Sequence, residues 1–446
     1  MNLTITPTLL HGSITPPPSK SQAHRLILCA ALAEGESVIE NVALSQDIQA
    51  TLRCMEALGA AWTLEGKTLH VRGIGGPAPF APAGGDLPFF DCGESGSTLR
   101  FLIPIALAVA GGGVFTGRGR LMERPQKPYF DLFDEKGIFY EREGDALTVR
   151  GRLAPGEYRL AGNVSSQFFT GLLYALPLLE GDSTVISTTA LESVGYITMT
   201  RQAMEQFGVV SRWEDLAFHV PGGQAFRAGN AEVEADWSQA AFWYAAAEIG
   251  NAVTVTGMNH RSIQLDRLIV DYAGMIRGDP LSGPKAAAGS VYKLSDGEEP
   301  SLPVPRENIP AGHSVGLDVR DCPDLVPPLA AMGAFMNGEL RLKNAGRLRL
   351  KESDRLAAVT AALGALGAGI TEEADRLVIQ GRESLPGGVR IDCCNDHRIA
   401  MMAAVAATRC REPVTLIGAQ CVAKSYPNFW EDYRMLGGII HEHLGE

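Results

Sequence analysis

Cations recur in this chain directly behind short runs of small polar residues. The prolines Pro16, Pro17 and Pro18 stop at Ser19, and Lys20, Ser21 and Arg25 follow. A proline run ending at a serine marks a capped helix start, where unpaired backbone N–H groups and the helix dipole favour an anion. Ser21 and Arg25, four apart, share a face of that helix. The run Asp91-Cys92-Gly93-Glu94-Ser95-Gly96-Ser97-Thr98-Leu99-Arg100 precedes a strongly apolar stretch, and its glycines let a ligand approach the backbone closely. Glu94 opposes an anion there unless its side chain turns away. Arg124 closes the run LMERP, and Ser165, Ser166 and Gln167 open another apolar stretch. Lys351-Glu352-Ser353-Asp354-Arg355 predicts a helix start with Lys351 and Arg355 on one face, and Asp396-His397-Arg398 predicts another. Each cluster alone is equally a capped, solvated turn. Their common grammar, small polar residues and then Lys or Arg, predicts a site for a ligand with more than one phosphate or carboxylate.

The elements that position these clusters are written six times. Each copy has an apolar helix, a Gly turn and a β-like run, starting at Arg25, Arg100, Gln167, Ala240, Leu325 and His397. Several copies continue with an amphipathic helix that ends near Gly and then a hairpin, most clearly over 43–73, 193–222 and 351–381. Apolar positions recur at helical spacing before the Gly and alternate after it. The fourth copy departs from the pattern, because 280–308 is rich in turn formers and reads as an insertion or irregular connection. The sixth has no hairpin of its own, and the alternating N-terminal segment NLTITPTLLHGSITP is the expected source of its missing strands. The chain then crosses twice between two domains of three copies each, 1–19 with 235–446, and 20–234.

Composition narrows the class of partner. The 446 residues carry 39 Lys+Arg against 51 Asp+Glu, a net charge of -12, which opposes a broadly basic nucleic-acid binder. The longest charge-free apolar stretch, Phe101 to Gly117, is too short for a membrane span and contains a Gly triplet. The eight cysteines are scattered, with no CxxC pair, and predict reduced thiols in a cytoplasmic protein. A C-terminal His441-Glu442-His443 reads as a solvated tail, and no metal-ligand cluster is expected.

In sequence order these clusters closely resemble the EPSP synthase family of enolpyruvyl transferases over nearly the whole chain. KSQAHR (20–25) is similar to the family's KSxSNR, GESGSTLR (93–100) to GNAGTxxR and MERP (122–125) to RERP. SSQ (165–167), PD (323–324), KESDR (351–355), DHR (396–398) and AKSYPNF (423–429) also match. The resemblance implies an α/β fold of two domains, each built from three βαβαββ units, six in total, with a cleft between them. It implies transfer of the enolpyruvyl group of phosphoenolpyruvate (PEP) to the 5-hydroxyl of shikimate 3-phosphate, by addition and then elimination of phosphate, without metal or organic cofactor. By matching position, shikimate 3-phosphate falls to Lys20, Ser21, Arg25, Ser165, Ser166, Gln167, Ser193, Tyr196, Asp324 and Lys351. PEP falls to Lys20, Gly96, Arg124, Gln167, Arg355, Arg398 and Lys424. The implied catalytic groups are Asp324 as base and Glu352 as acid, with Lys20 close to the transfer. The seven cations Lys20, Arg25, Arg124, Lys351, Arg355, Arg398 and Lys424 are expected inside the cleft, and the excess of acid mostly outside it.

Three positions depart from the family pattern: Glu94 and His24 each stand for an Asn, and Arg347 stands where an Asn commonly contacts shikimate 3-phosphate. The nearest rival is a UDP-N-acetylglucosamine enolpyruvyl transferase, whose reactive Cys or Asp is missing from the loop Gly111–Arg124. A non-catalytic paralogue that binds phosphorylated metabolites is a rival of another class, opposed by the retained Asp324, Glu352, Lys20 and PEP-contacting cations. Small-molecule substrates, no nucleic-acid or membrane partner, and a monomer complete the expectation.

Overall fold

The computed structural model describes residues 1–76, 87–278 and 312–443. The chain divides into two compact domains, Pro18–Glu234 and Met1–Pro17 with Ala235–Glu446.

In the 18–234 domain one motif is built three times. Strand Phe89–Asp91 runs parallel to Gly112–Thr116, and the antiparallel strands Ala146–Arg150 and Phe139–Glu143 complete the sheet. A parallel pair needs a crossover, here the helix Gly96–Val109. The same order recurs in Gly156–Leu160, Ser183–Ser187, Ala217–Val220 and Arg212–Glu214. The third sheet takes its first strand from the far end of the segment, since Asn230–Glu232 pairs in parallel with Glu36–Glu40. All three hairpins turn through two residues, and the first has a left-handed φ each time: Gly66 at 63°, Gly144 at 57° and Asp215 at 50°. That geometry matches the twist of the flanking strands.

The crossover helices Lys20–Leu32, Gly96–Val109 and Ser166–Ala175 are buried on almost every side. Continuous apolar sequence therefore suits them, and each buried Leu, Ile or Phe contributes about 1.5–3 kcal/mol. Helices Gln46–Ala57, Lys127–Lys136 and Val194–Gln206 bury one face only and are amphipathic.

The other domain repeats the plan. Strands His313–Asp318, Gly338–Lys343, Leu377–Gln380 and Gly369–Glu372 form one complete sheet around helix Val326–Ala334. Another joins Arg390–Asp392, Val414–Ile417 and Ile439–His443 to the N-terminal strand Asn2–Thr6, which lies between the last two. The N-terminus thus completes the sixth copy, as its alternation implied. His441, Glu442 and His443 are consequently exposed, as expected, but in a paired strand and not in a tail. The next N-terminal strand, His11–Ile14, pairs in parallel with Ala252–Val255 and opens the fourth copy, around helix Trp237–Glu248. The segment 280–308, read as an irregular connection, lies outside the described residues.

Candidate active site

In the 18–234 domain three buried helices begin at serine caps. Ser19 accepts from Gln22 N at 3.4 Å, Ser95 from Thr98 N at 3.2 Å and Ser165 from Gln167 N at 3.3 Å. Around these starts the predicted residues assemble. Arg25 donates from Nη1 to the Ser21 carbonyl at 2.6 Å and from Nε to Thr200 Oγ1 at 2.9 Å and the Tyr196 carbonyl at 3.3 Å. Its guanidinium carbon stands 5.4 Å from the centre of the Phe101 ring and 5.7 Å from that of Tyr196. Ser21, Arg25 and Tyr196 therefore form one fixed group, and Ser193 lies at the start of the helix that carries Tyr196. Ser166 and Gln167 occupy the first turn of the Ser166–Ala175 helix. The Gln167 amide is held from both ends, accepting from Arg100 Nη1 at 2.8 Å and donating to Ser97 Oγ at 2.9 Å. Gly96 lies against Arg124 so tightly that a Cβ there would come within 2.6 Å of Arg124 Nη1. Lys20 is paired with Asp47 at 2.8 Å.

His24 has a place of its own. Its Nδ1 lies 2.8 Å from Thr51 Oγ1, which lies 2.7 Å from Thr98 Oγ1, and Thr98 donates to Ser95 Oγ at 2.7 Å. Because the Thr98 proton is spent on Ser95, Thr51 must donate to Thr98 and His24 Nδ1–H to Thr51. Burial, then Lys20 and Arg25, lower the imidazole's pKa well below the ordinary value, which keeps the ring neutral at about pH 7. The chain ties the Lys20–Leu32 helix to the cap of the Gly96–Val109 helix.

The other domain holds the second group, centred on a buried arginine. Arg355 donates from Nε to Asp396 Oδ2 at 2.9 Å, from Nη1 to Asp324 Oδ1 at 2.9 Å and from Nη2 to Glu352 Oε2 at 2.6 Å. Arg398 reaches Asp324 from another side, with Nη2 3.1 Å from Oδ2 and Nη1 3.2 Å from the Asp324 carbonyl. Lys351 Nζ stands 3.5 Å from Asp324 Oδ1, and Lys424 Nζ donates to the Asn395 carbonyl at 2.6 Å. Burial raises the Asp324 pKa, but Arg398, Lys351 and Arg355 together outweigh it and hold the carboxyl far below the usual range. Burial lowers the Lys351 ammonium, an effect that Asp324 only partly offsets.

One expectation needs correcting. Lys351 does not begin a helix with Arg355: it ends a 3-10 turn over Gly346–Leu350, and the helix Arg355–Leu366 starts four residues later at the cap Asp354. The Asp354 side chain accepts from Ala357 N, which fixes the start there and leaves Lys351 to approach Asp324 from a bend. Carboxylates also stand within the cation clusters, four of the chain's 51 acidic residues. Lys20, Lys351, Arg355 and Arg398 each have a carboxylate partner, because a buried cation without one would carry a large desolvation cost. Arg347 donates to the Arg320 carbonyl. Asp396, Asp47, Ser97 and Arg100 were not named as site residues. Asp396, Arg100 and Ser97 stood inside the quoted motifs, whereas Asp47 lay in the amphipathic stretch 43–73 with no motif of its own.

A sequence model of EPSP synthase (3-phosphoshikimate 1-carboxyvinyltransferase) matches residues 5–433. A 3-phosphoshikimate 1-carboxyvinyltransferase of Clostridium acetobutylicum is 42% identical over 450 residues, covering 99% of both chains. The enzyme of the same name from Clostridium perfringens strain 13 is 42% identical over 441 residues, covering 98% of this chain and 99% of that one. Among solved structures, an EPSP synthase from Acinetobacter baumannii shares the fold, with a TM-score of 0.72 at 23% identity over 99% of this chain and all of that one.

Proposed function

We propose a division of labour among the residues of this chain, which belongs to the EPSP synthase family. The reaction is transfer of the enolpyruvyl group of PEP to the 5-hydroxyl of shikimate 3-phosphate with release of phosphate. Ser21, Arg25, Ser165, Ser166, Gln167, Ser193, Tyr196 and Lys351 hold shikimate 3-phosphate. Gly96, Arg124, Gln167, Arg355, Arg398 and Lys424 hold PEP, and Lys20 serves both. The observation that carries the chemistry is the pair of carboxylates on one guanidinium: Asp324 and Glu352 both accept from Arg355.

Asp324 takes the hydroxyl proton as the oxygen bonds to C2 of PEP, and Glu352 delivers a proton to the methylene carbon. Elimination reverses the second transfer: the Glu352 carboxylate takes a methyl proton as the C2–O bond to phosphate breaks, and the departing phosphate takes the proton held by Asp324. With three cations engaged on it, Asp324 is a weak base. A substrate phosphate or carboxylate that takes over bonds from Arg355 and Arg398 releases Asp324 to accept a proton, and the same cations stabilise charge on the departing phosphate. Anion binding and base activation are then one event.

The family match and the relatives' names do not favour the UDP-N-acetylglucosamine reading or a non-catalytic one. A cytoplasmic monomer acting on small molecules, without nucleic-acid or membrane partners, remains part of the proposal. The eight cysteines are free, and among the described residues no helix is long and apolar enough to cross a membrane. The test is phosphate release from PEP, expected only when shikimate 3-phosphate is supplied. Glu352→Gln and Asp324→Ala should each lose turnover by orders of magnitude while shikimate 3-phosphate still binds. Near-normal turnover in either variant removes that residue from the scheme.

A further inference from the structure

Three helices of the 18–234 domain carry most of the residues assigned to shikimate 3-phosphate. Lys20–Leu32 holds Ser21 and Arg25, Ser166–Ala175 holds Ser166 and Gln167, and Val194–Gln206 holds Tyr196. All three meet at one hydroxyl that the reaction scheme does not use. Thr200, in the last of these helices, is fully buried. Its Oγ1 donates to the Tyr196 carbonyl at 2.9 Å, four residues back, which is an ordinary bond for a threonine inside a helix. Its two other partners each come from another helix. Arg25 Nε donates to Thr200 Oγ1 at 2.9 Å, and the Oγ1 of Thr170, also fully buried, lies 2.9 Å away. The single Thr200 proton is spent on Tyr196, so Thr170 is the donor in that pair. Thr200 thus donates once and accepts twice, the full capacity of a hydroxyl.

These bonds settle how Arg25 is aimed. Nε is engaged by Thr200 and the Tyr196 carbonyl, Nη1 by the Ser21 carbonyl, and the guanidinium carbon stands over the Phe101 and Tyr196 rings. Nη2 is the guanidinium nitrogen without a hydrogen-bond partner among the described residues. Among those residues Arg25 also has no carboxylate partner, in contrast to Lys20, Lys351, Arg355 and Arg398. Hydrogen bonds and rings therefore orient this cation where an ion pair orients the others, and Nη2 is left to an anionic ligand.

We propose that Thr200 is a positioning residue for shikimate 3-phosphate: its hydroxyl fixes the plane of the Arg25 guanidinium and so the nitrogen offered to the ligand. The proposal rests on the assignment of Arg25 to that substrate. Without the hydroxyl, Nε keeps only the longer bond to the Tyr196 carbonyl, at 3.3 Å, and the plane is free to turn.

The experiment is steady-state kinetics together with urea unfolding for the wild type, Thr200→Val, Thr200→Ser, Thr170→Val and Arg25→Met. Thr200→Val keeps the branched shape and removes the hydroxyl. The KM for shikimate 3-phosphate should rise about tenfold, with kcat and the KM for PEP unchanged. Thr200→Ala carries the same expectation should the Val variant not fold. Thr200→Ser keeps the hydroxyl and loses a buried methyl, so it should lose stability and retain the wild-type KM. Thr170→Val should likewise lose stability alone, since Arg25 keeps its partner. A KM that follows stability through the series, with the Ser variant as impaired as Val, overturns the proposal. So does a comparable further rise on adding Thr200→Val to Arg25→Met, where no guanidinium is left to position. An Arg25→Met enzyme with the wild-type KM for shikimate 3-phosphate would instead overturn the assignment of Arg25.

Discussion

Asp396 ties Arg355, Ser353 and the start of the His397–Ala407 helix together in the 1–17/235–446 domain. It is fully buried, accepts from Arg355 Nε at 2.9 Å and Nη2 at 3.3 Å, accepts from Ser353 Oγ at 3.0 Å, and caps the His397–Ala407 helix through Arg398 N at 3.0 Å. Asp396→Asn keeps the shape and a cap-competent oxygen but removes the charge. Orphaning a buried ion costs about 3–5 kcal/mol, whereas Arg355 here retains Asp324 and Glu352, so the expected loss is roughly 2–3 kcal/mol. Asp396→Ala also removes the cap and should cost about 1 kcal/mol more. At about 2–4 °C per kcal/mol for a domain of this size, the melting temperature should fall by on the order of 4–12 °C for Asn and a few degrees further for Ala. Because Arg355 turns toward its remaining partners, the KM for PEP should rise in both variants. Melting within about a degree of wild type together with an unchanged KM would falsify the anchoring role; equal melting of Asn and Ala variants would remove the cap from the account.

Other outcomes follow from the same geometry. Gly96→Ala places a Cβ 2.6 Å from Arg124 Nη1, and displacing that cation should raise the KM for PEP roughly tenfold while leaving that for shikimate 3-phosphate; equal KM values for PEP would show that Arg124 moves freely. Asp266 has its carboxyl raised from 3.8 to about 7, so its contribution to stability is complete below the unfolded value and is lost as pH rises through the folded one. Asp266→Asn should accordingly gain stability over wild type between about pH 5 and about pH 8, by at most roughly 4 kcal/mol, and a gain that shrinks with pH would reverse the sign. His24→Leu leaves Thr51 without its donor and should cost about 1–3 kcal/mol in urea unfolding, with His24→Asn recovering part of it; a fully stable Leu variant would mean that the chain from His24 to Ser95 holds nothing.

Much of the architecture was legible because burial writes itself into local pattern. The crossover helices are apolar on every face and the outer ones on one face, so the six copies could be read before any contact was known. Ser19, Ser95, Ser165 and Asp396 were legible as caps, since capping is decided within a few residues. Lys351 was misplaced for a related reason: the spacing of KESDR suits a helix from its first residue, and only the bond from Ala357 N to Asp354 shows where the helix begins. Asp266 carries no motif, and only its burial in the folded chain sets it apart.

By itself the sequence determined the repeated α/β plan, the helix starts that present cations, and the net charge of -12. Which charges meet was decided by tertiary structure. Asp324 joins Arg355 across 31 positions and Arg398 across 74, and the pairing turns a list of cations into an ion network with two carboxylates on one guanidinium. The physical reason is range. Periodicity and capping act over a turn or two of chain, whereas a carboxyl's proton affinity depends on burial and on charges a few ångströms away in space, wherever they lie in sequence.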